Sequence, residues 1–567
     1  MFRYPSQFAL RSNLSAHADP IITAGLRPDL FAGRGVLTNS RSLVVTALIV
    51  LVVAGFGFRV NGLSAEGLSE DELNKLSAVA DYRAHGLTGA NGEHPMLMKA
   101  LQAATIILAE KWNNSHPSNQ IEPETALRLP GAIVGALTTV LIFLVVAELF
   151  GVEVALISAA LWAFDPNAIG FSRVAKEDSF LLFFFLLANV FWLRGQRVAE
   201  STDQNPNRYY WATAASYGAM VASKYVPHLF CVSICYYWMF QGIPETRWRL
   251  GKKRLLTFLI IMGLVFVVLS PTILLPETWK QMGLFAGGNR IGHDGYEFMN
   301  KLYPHRFDAW LHGIPFYFYF VFTAVKLPLL TLLGFVAGLP LLFRRKLGDG
   351  RYFILFWFML WIVAFVFPGG KFTRYYTTVL PAVLITSALG IQFAGRWLAN
   401  RIAGFDLKHY VPASLAVIVI VASVINSVQA APHFRLFTNS IGGGTAWAGY
   451  YFPHDEFYDA SMREVITEIA HRARPGARVA SESPSLATYY AEREKRPDLI
   501  CLSLSDPEAV KQLNAGDFII VARGRRYFSN DAIIKSLNNY TPIAEFKLGV
   551  VPSAKLYEFN PKYLATD

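Results

Sequence analysis

Long apolar runs parted by short polar loops fill the first three quarters of the chain, and they stop after Pro432. A helix that crosses a bilayer needs roughly 20 mostly apolar residues, because every backbone polar group must be satisfied inside lipid. Eleven stretches fit that pattern: residues 42–60, 127–149, 152–171, 177–195, 208–223, 225–241, 254–272, 316–343, 352–368, 375–395 and 410–430. The fifth and sixth are short and separated only by Lys224. Beyond Pro432 the period changes. Met462–Arg474, Pro507–Leu513 and Asp531–Asn538 read as helices. Ala477–Ser481, Leu499–Leu504, Phe518–Ala522, Ala544–Leu548 and Lys555–Phe559 read as strands. That alternation predicts a small α/β domain with a largely parallel sheet. The expected division is a segment 1–41, a polytopic α-helical membrane domain 42–430 with long loops 61–126 and 273–311, and an α/β domain 431–567.

Charge supplies an orientation. Arg3, Arg11, Arg27, Arg34 and Arg41 precede the first apolar run. Every second loop is then basic, with Arg194 and Arg197, then Arg247, Arg249 and Lys252–Arg254, then Arg344–Lys346, then Arg396, Arg401 and Lys408. The positive-inside rule puts these in the cytoplasm, so an odd number of spans leaves 431–567 outside. The first run follows some 40 polar residues and reads as an anchor, not a cleaved signal. Composition agrees: of 567 residues only 16% are charged, against about 25% in an ordinary globular protein. A soluble enzyme, a disordered scaffold and a coiled coil are excluded. The net charge of +11 lies in short loops, which marks membrane orientation and gives no reason to invoke nucleic acid as a partner. Cys231, Cys235 and Cys501 are too few for a disulfide framework.

The ionisable residues gather on the side opposite the basic loops. The first long loop holds Ser69-Glu70-Asp71-Glu72, then His94-Pro95-Met96-Leu97-Met98-Lys99 at the head of an apolar stretch suited to a membrane surface. Ser69 with Glu72 also has the spacing of a helix capping box. The next loop on that side is short and charged, Arg173-Val174-Ala175-Lys176-Glu177-Asp178. There the alternatives are a working cluster or an Arg173–Glu177 helical pair. Lys224, Lys371 and Arg374 stand where the positive-inside rule disfavours cations, which a membrane-level anion such as a lipid phosphate would explain. Snorkelling is the alternative. The loop 273–311 carries His293, Asp294, His305, Arg306 and Asp308 at spacings that name no metal centre.

Taken in order, Asp71-Glu72, His94-Pro95-Met96-Leu97-Met98-Lys99, Arg128-Leu129-Pro130, Arg173 through Asp178 and Phe372-Thr373-Arg374-Tyr375-Tyr376 with Leu380-Pro381 resemble the GT-C integral-membrane glycosyltransferases that use polyprenyl-phosphate sugars. The nearest kinds are the protein O-mannosyltransferases (glycosyltransferase family 39) and the lipid A aminoarabinose transferases. The resemblance runs over roughly residues 40–400. It departs at Met96, where His-Pro-Pro is usual, and it lacks the MIR domain of the eukaryotic mannosyltransferases. It implies a GT-C fold and a polyprenyl-phosphate sugar donor. It also implies an acceptor that is a protein hydroxyl, a lipid or a glycan. No obligatory metal is expected, with a divalent ion left as the alternative. The missing MIR domain and compact tail point to a bacterial inner membrane.

The chemistry fits these residues. An acceptor hydroxyl must lose its proton as it attacks the anomeric carbon, and a placed carboxylate is worth typically 10²–10⁴-fold. Asp71 is the candidate base, with Glu72 in support. The departing phosphate needs fixed cations, for which Lys224, Lys371 and Arg374 are the candidates. By resemblance His94, Lys99, Arg173 and Asp178 shape the substrate site. The competing classes are a secondary transporter, which would set its polar groups near the bilayer midplane, and a non-catalytic membrane assembly protein.

Overall fold

The computed structural model describes residues 37–201, 205–237, 252–287, 293–401 and 410–561. Most of the segment 1–41, with Arg3, Arg11, Arg27 and Arg34, lies outside them, as do Arg247, Arg249, Lys408 and the end of the sixth apolar stretch.

The helical region opens with α1 (Leu37–Val60), α2 (Glu70–His85), α3 (Met96–Ser115), α4 (Pro123–Phe150), α5 (Val152–Phe164), α6 (Pro166–Ser172) and α7 (Asp178–Ser201). It continues with α8 (Asn207–Ser223), α9 (Phe230–Tyr236), α10 (Lys252–Leu269), α11 (Pro276–Ala286) and a hairpin of β1 (Gly295–Phe298) and β2 (Lys301–Pro304). It closes with α12 (Phe318–Lys326), α13 (Leu329–Gly338), α14 (Gly350–Phe365), α15 (Leu380–Arg401) and α16 (Val411–Ala430). The chain is an integral multi-pass membrane protein. Among the described residues five helices (α1, α4, α7, α15 and α16) are long and apolar enough to cross a membrane, or six if the bent pair α5–α6 is one span. α1 and α16 turn Leu43, Ile49, Val53, Val417, Val421 and Val428 outward, the apolar face a lipid-bathed helix needs. Among the described residues the other expected stretches hold helices that fall short of that test. The stretch 316–343 is broken where Pro328 follows Leu327, since the residue before proline is pushed out of the α region. The break at 165 bends the chain by 59°. There Asp165 accepts the N–H groups of Asn167 and Ala168 (2.9 and 3.0 Å) and Pro166 takes the first helical position, so a new helix starts at once. α13 and α15 pack closely through glycine: a Cβ at Gly338 would overlap the carbonyl of Thr386.

The C-terminal region comprises α17 (Pro453–Phe457), α18 (Met462–Arg472), β3 (Arg478–Ser481), α19 (Pro484–Arg493), β4 (Ile500–Ser503), α20 (Pro507–Val510), β5 (Phe518–Ala522), α21 (Asp531–Leu537), β6 (Ala544–Leu548) and β7 (Val551–Glu558). Its sheet has the order β4-β3-β5-β7-β6. β3 runs parallel to β4 and β5, while β7 is antiparallel to β5 and β6. The sheet is therefore mixed, not largely parallel. The cause is local: only Gly549 and Val550 separate β6 from β7, and so short a link joins only antiparallel strands. α18 buries Val465, Ile466 and Ile469 on one face. They share a core with Val479, Leu486 and Leu556 of the same region and with Leu68, Val79 and Leu127 of the helical region. That common core fixes how the two parts meet.

Candidate active site

The site is built around the start of α2. Ser69 caps it: its hydroxyl accepts the N–H of Glu72 (3.3 Å), and the Glu72 carboxylate accepts the N–H of Ser69 (3.0 Å). Glu72 is buried and accepts twice from Arg128 (2.9 and 2.7 Å) and once from the Ala175 N–H (3.0 Å). Arg128 spends its remaining donors on the carbonyls of Leu63, Glu66 and Gly67. Burial pushes the Glu72 carboxyl up, but Arg128 outweighs it and holds the carboxyl below its ordinary value. Glu72 thus fixes the helix start and does not face the site mouth.

Asp71, one residue earlier, points the other way, with 35% of its side chain exposed. Its carboxylate meets the Lys176 ammonium, the Tyr458 hydroxyl, which donates to it, and the Arg374 guanidinium at 3.6 Å. Burial would raise its pKa. Lys176, then Arg374 and Lys75, more than offset this and hold the carboxyl well below the usual carboxylate range. One turn on, Lys75 pairs with Glu177 at 3.0 Å, both side chains buried. The short charged loop is thereby laced to α2 by two crossed pairs, Lys176 to Asp71 and Glu177 to Lys75. The Arg173–Glu177 helical pair does not form. Residues 173–177 are not helical, and Arg173 donates to the carbonyls of Phe58, Asn61 and Gly62 at the end of α1.

Beside Asp71 lies a small pocket lined by Lys176, Asp178, Arg374, Arg435, Asp455 and Tyr458 among others. Its cations are already paired. Lys176 and Arg374 sit with Asp71, and Arg435 with Glu66. Asp178 accepts from Lys224 at 2.6 Å, whose ammonium also lies 5.1 Å from the Tyr375 ring centre. Asp455 accepts the Thr373 N–H (3.0 Å) and the Tyr296 hydroxyl; burial raises its pKa, against Arg374.

The remaining sequence candidates stand elsewhere. Lys371 is buried and donates to the carbonyls of Ile314 (3.1 Å) and Pro368; burial lowers its pKa to about 8. Lys99 is buried with its ammonium on the carbonyls of Ala90, Asn91 and His94 (3.3, 2.8 and 3.0 Å), holding the loop that leads into α3. Burial lowers His94 to about 3, so the ring is neutral where it approaches Glu177 at 3.5 Å. Asp71, Arg374, Asp178 and Lys224 are thus brought to one cavity and its rim, while Glu72, Lys99, Lys371 and Arg173 secure backbone around it. Sequence reasoning gave no role to Lys176, which stood in the charged run, nor to Arg435, Asp455 and Tyr458. Nothing in the sequence links these last three to Asp71: Tyr458 reaches it across 387 residues. Among the described residues no three His, Cys, Asp or Glu side chains are placed to hold a metal ion.

Residues 119–274 match the protein family described as dolichyl-phosphate-mannose-protein mannosyltransferase. No curated protein sequence matches the chain. Among solved structures it is similar to ArnT from Cupriavidus metallidurans bound to undecaprenyl phosphate, with 14% identity over 91% of this chain and 98% of that one and a TM-score of 0.48. It is similar also to the Archaeoglobus fulgidus oligosaccharyltransferase tethered with an acceptor peptide, with 12% identity, 85% and 69% coverage and a TM-score of 0.48. The S. cerevisiae protein O-mannosyltransferase Pmt1-Pmt2 complex bound to the sugar donor gives 17% identity, 48% and 43% coverage and a TM-score of 0.31.

Proposed function

We propose, from the premise that residues 119–274 are those of a mannosyltransferase-family membrane glycosyltransferase, that this chain moves a sugar from a polyprenyl-phosphate carrier to an acceptor hydroxyl on the outer side of the membrane, with Asp71 as general base. The matched segment contains Arg128, Lys176, Asp178 and Lys224 but neither Asp71 nor Arg374. The observation that carries the reading is the meeting of Asp71 with Lys176 and Arg374 at a cavity these two cations also line.

A carboxylate held by two cations is a poor base, because its proton affinity is low. The same two cations are the groups a sugar phosphate would recruit. As the donor's phosphate enters, Lys176 and Arg374 turn their charge to it, and Asp71 gains basicity when an acceptor needs one. The acceptor oxygen then bonds to the anomeric carbon and its proton passes to Asp71. The bond from that carbon to the phosphate oxygen breaks with its electron pair, and the polyprenyl phosphate departs against fixed positive charge. A single displacement of this kind inverts the anomeric centre. The proposed arrangement, eleven spans with the N-terminus cytoplasmic and residues 431–567 outside, would put the site on the face where such a carrier presents its sugar.

Asp71→Asn keeps size and most hydrogen bonding but cannot take a proton. The variant should insert normally, still bind polyprenyl phosphate, and lose about 10²–10⁴ in rate. Near-normal sugar transfer by this variant, measured in membranes that contain the natural donor and acceptor, would overturn the assignment.

A further inference from the structure

Tyr458 and Asp459 both have positive φ, 47° and 62°, a backbone region that non-glycine side chains seldom adopt. Two such residues in succession persist only where their surroundings over-determine them. Here the surroundings are specific. Asp459 is buried and held by Arg525, whose Nε donates to it at 2.6 Å and whose Nη2 contacts its other oxygen. The hydroxyl of Ser483 donates to it at 3.1 Å. Asp459 also accepts the N–H of Glu70 at 3.3 Å, one of the first-turn donors of α2 that the helix itself leaves unpaired. Arg525 follows β5, whose Ile519 and Ile520 are buried in the C-terminal cores. Two consecutive residues of the C-terminal region therefore grip two consecutive residues of α2. Asp459 takes the backbone of Glu70, and Tyr458 lays its hydroxyl on the carboxylate of Asp71.

We propose that Tyr458 is a positioning residue for the transfer reaction, braced through Asp459 and Arg525 so that the C-terminal sheet sets the angle of the Asp71 carboxylate. The inference rests on the reading of Asp71 as base. Lys176, Arg374 and Tyr458 each make their closest approach to Oδ2, which assigns the incoming proton to Oδ1. Tyr458 suits this role because burial and the Asp71 charge push its own pKa well above the ordinary value, so the phenol remains a donor. The charged and titratable groups that face Asp71 are Glu70 and Lys75 of its own helix, Lys176 of the short loop, Arg374 before α15 and Tyr458 of the tail, with His94 and His293 further off.

Tyr458→Phe keeps the ring and removes the one neutral donor. A carboxylate that loses a donor binds its proton more tightly, so the pH at which Asp71 is half-protonated must rise. Two measurements test this on the full-length protein in membranes. The first is water-soluble carbodiimide labelling of Asp71 against pH, read by peptide mass spectrometry, which needs no substrate. Its midpoint should move up by about one unit. The second is sugar transfer by membranes holding the natural donor and acceptor, where Tyr458→Phe should cost about tenfold alone and nothing further in an Asp71→Asn background. An unmoved midpoint, or an equal loss in both backgrounds, overturns the proposal. Activity retained by Asp71→Asn alone is a separate result, and it refutes the base instead. Should Tyr458→Phe fail to accumulate, Arg525→Lys loosens the two-pronged hold on Asp459. The same upward midpoint shift is then expected, and an unmoved midpoint in that variant overturns the proposal equally.

Discussion

At the scale of single residues the site is a problem of shared cations. Lys176 neutralises Asp71 and lines the cavity, where it would face the phosphate of a bound donor. Lys176→Met should therefore act twice. Transfer should fall by about one to two decades, the worth of a charged hydrogen bond of ~1.5–3 kcal/mol. The acidic limb of the pH–rate profile should also move to higher pH. The sign follows from the direction of the shift. Asp71 is held below its ordinary value, so the required carboxylate survives acidification until the pH drops through that lowered pKa. Taking away the first cation that lowers it brings the loss of activity to a milder pH. A profile measured from pH 3 to 8 that keeps its acidic limb would return Lys176 to a purely structural pairing. Asp178, Lys224 and Arg374 drew notice in the sequence because charge at the end of an apolar run is costly and has to be accounted for, whereas Asp71 drew it from its place in the first long loop and from the family resemblance. Lys371 carried the same signal and Lys99 interrupted an apolar stretch, and both are met by backbone carbonyls, two for Lys371 and three for Lys99. Tyr458 carried no signal, since a tyrosine in a mixed polar segment is common and its partner lies in another part of the fold.

At the scale of the element, the start of α2 sets the capping residue and the proposed base on adjacent positions. The capping-box reading and the catalytic reading of Asp71-Glu72 are alternatives in the sequence; in the structure Glu72 completes the cap, which leaves the carboxylate of Asp71 for the role proposed above. Glu72→Ala would leave Arg128 among carbonyls without its hydrogen-bonded carboxylate, with only the charges of Glu66 and Glu124 nearby. Breaking a buried pair in this way costs about 3–5 kcal/mol, so thermal unfolding in detergent should shift down clearly, while Asp71→Asn should leave it nearly unmoved. Because the folded pKa of Glu72 is depressed, its contribution is complete above the unfolded value of about 4.3 and is lost only as the pH falls through the lower folded value. A melting temperature that already declines because of Glu72 between pH 7 and 5 would contradict this. Most long elements were readable from apolar period alone. What periodicity misses is the local interruption: Asp165-Pro166 and Leu327-Pro328 break apolar runs whose composition is continuous, and the Gly549-Val550 link decides strand direction without altering any strand's pattern.

At the scale of the whole molecule, the expected sidedness follows from the alternating basic loops. A reporter fused after Asp567 should be active only outside the cytoplasm and one after Arg345 only inside. The same compartment for both would refute the eleven-span arrangement and, with it, the outward-facing site. The tail is no detachable appendage in this arrangement, because Arg435, Asp455 and Tyr458 form part of the cavity wall. Its sheet adds a constraint of another kind. β7 is the last strand in sequence among the described residues, yet it lies inside the sheet, between β5 and β6. Until residues 551–558 are in place β5 has no partner on that side, and Arg525, which follows β5, lacks the strand that braces it. On the proposed reading of Asp71 as base, its brace is therefore completed late, and a chain still lacking residues 551–558 has its helices but no fixed angle for that carboxylate.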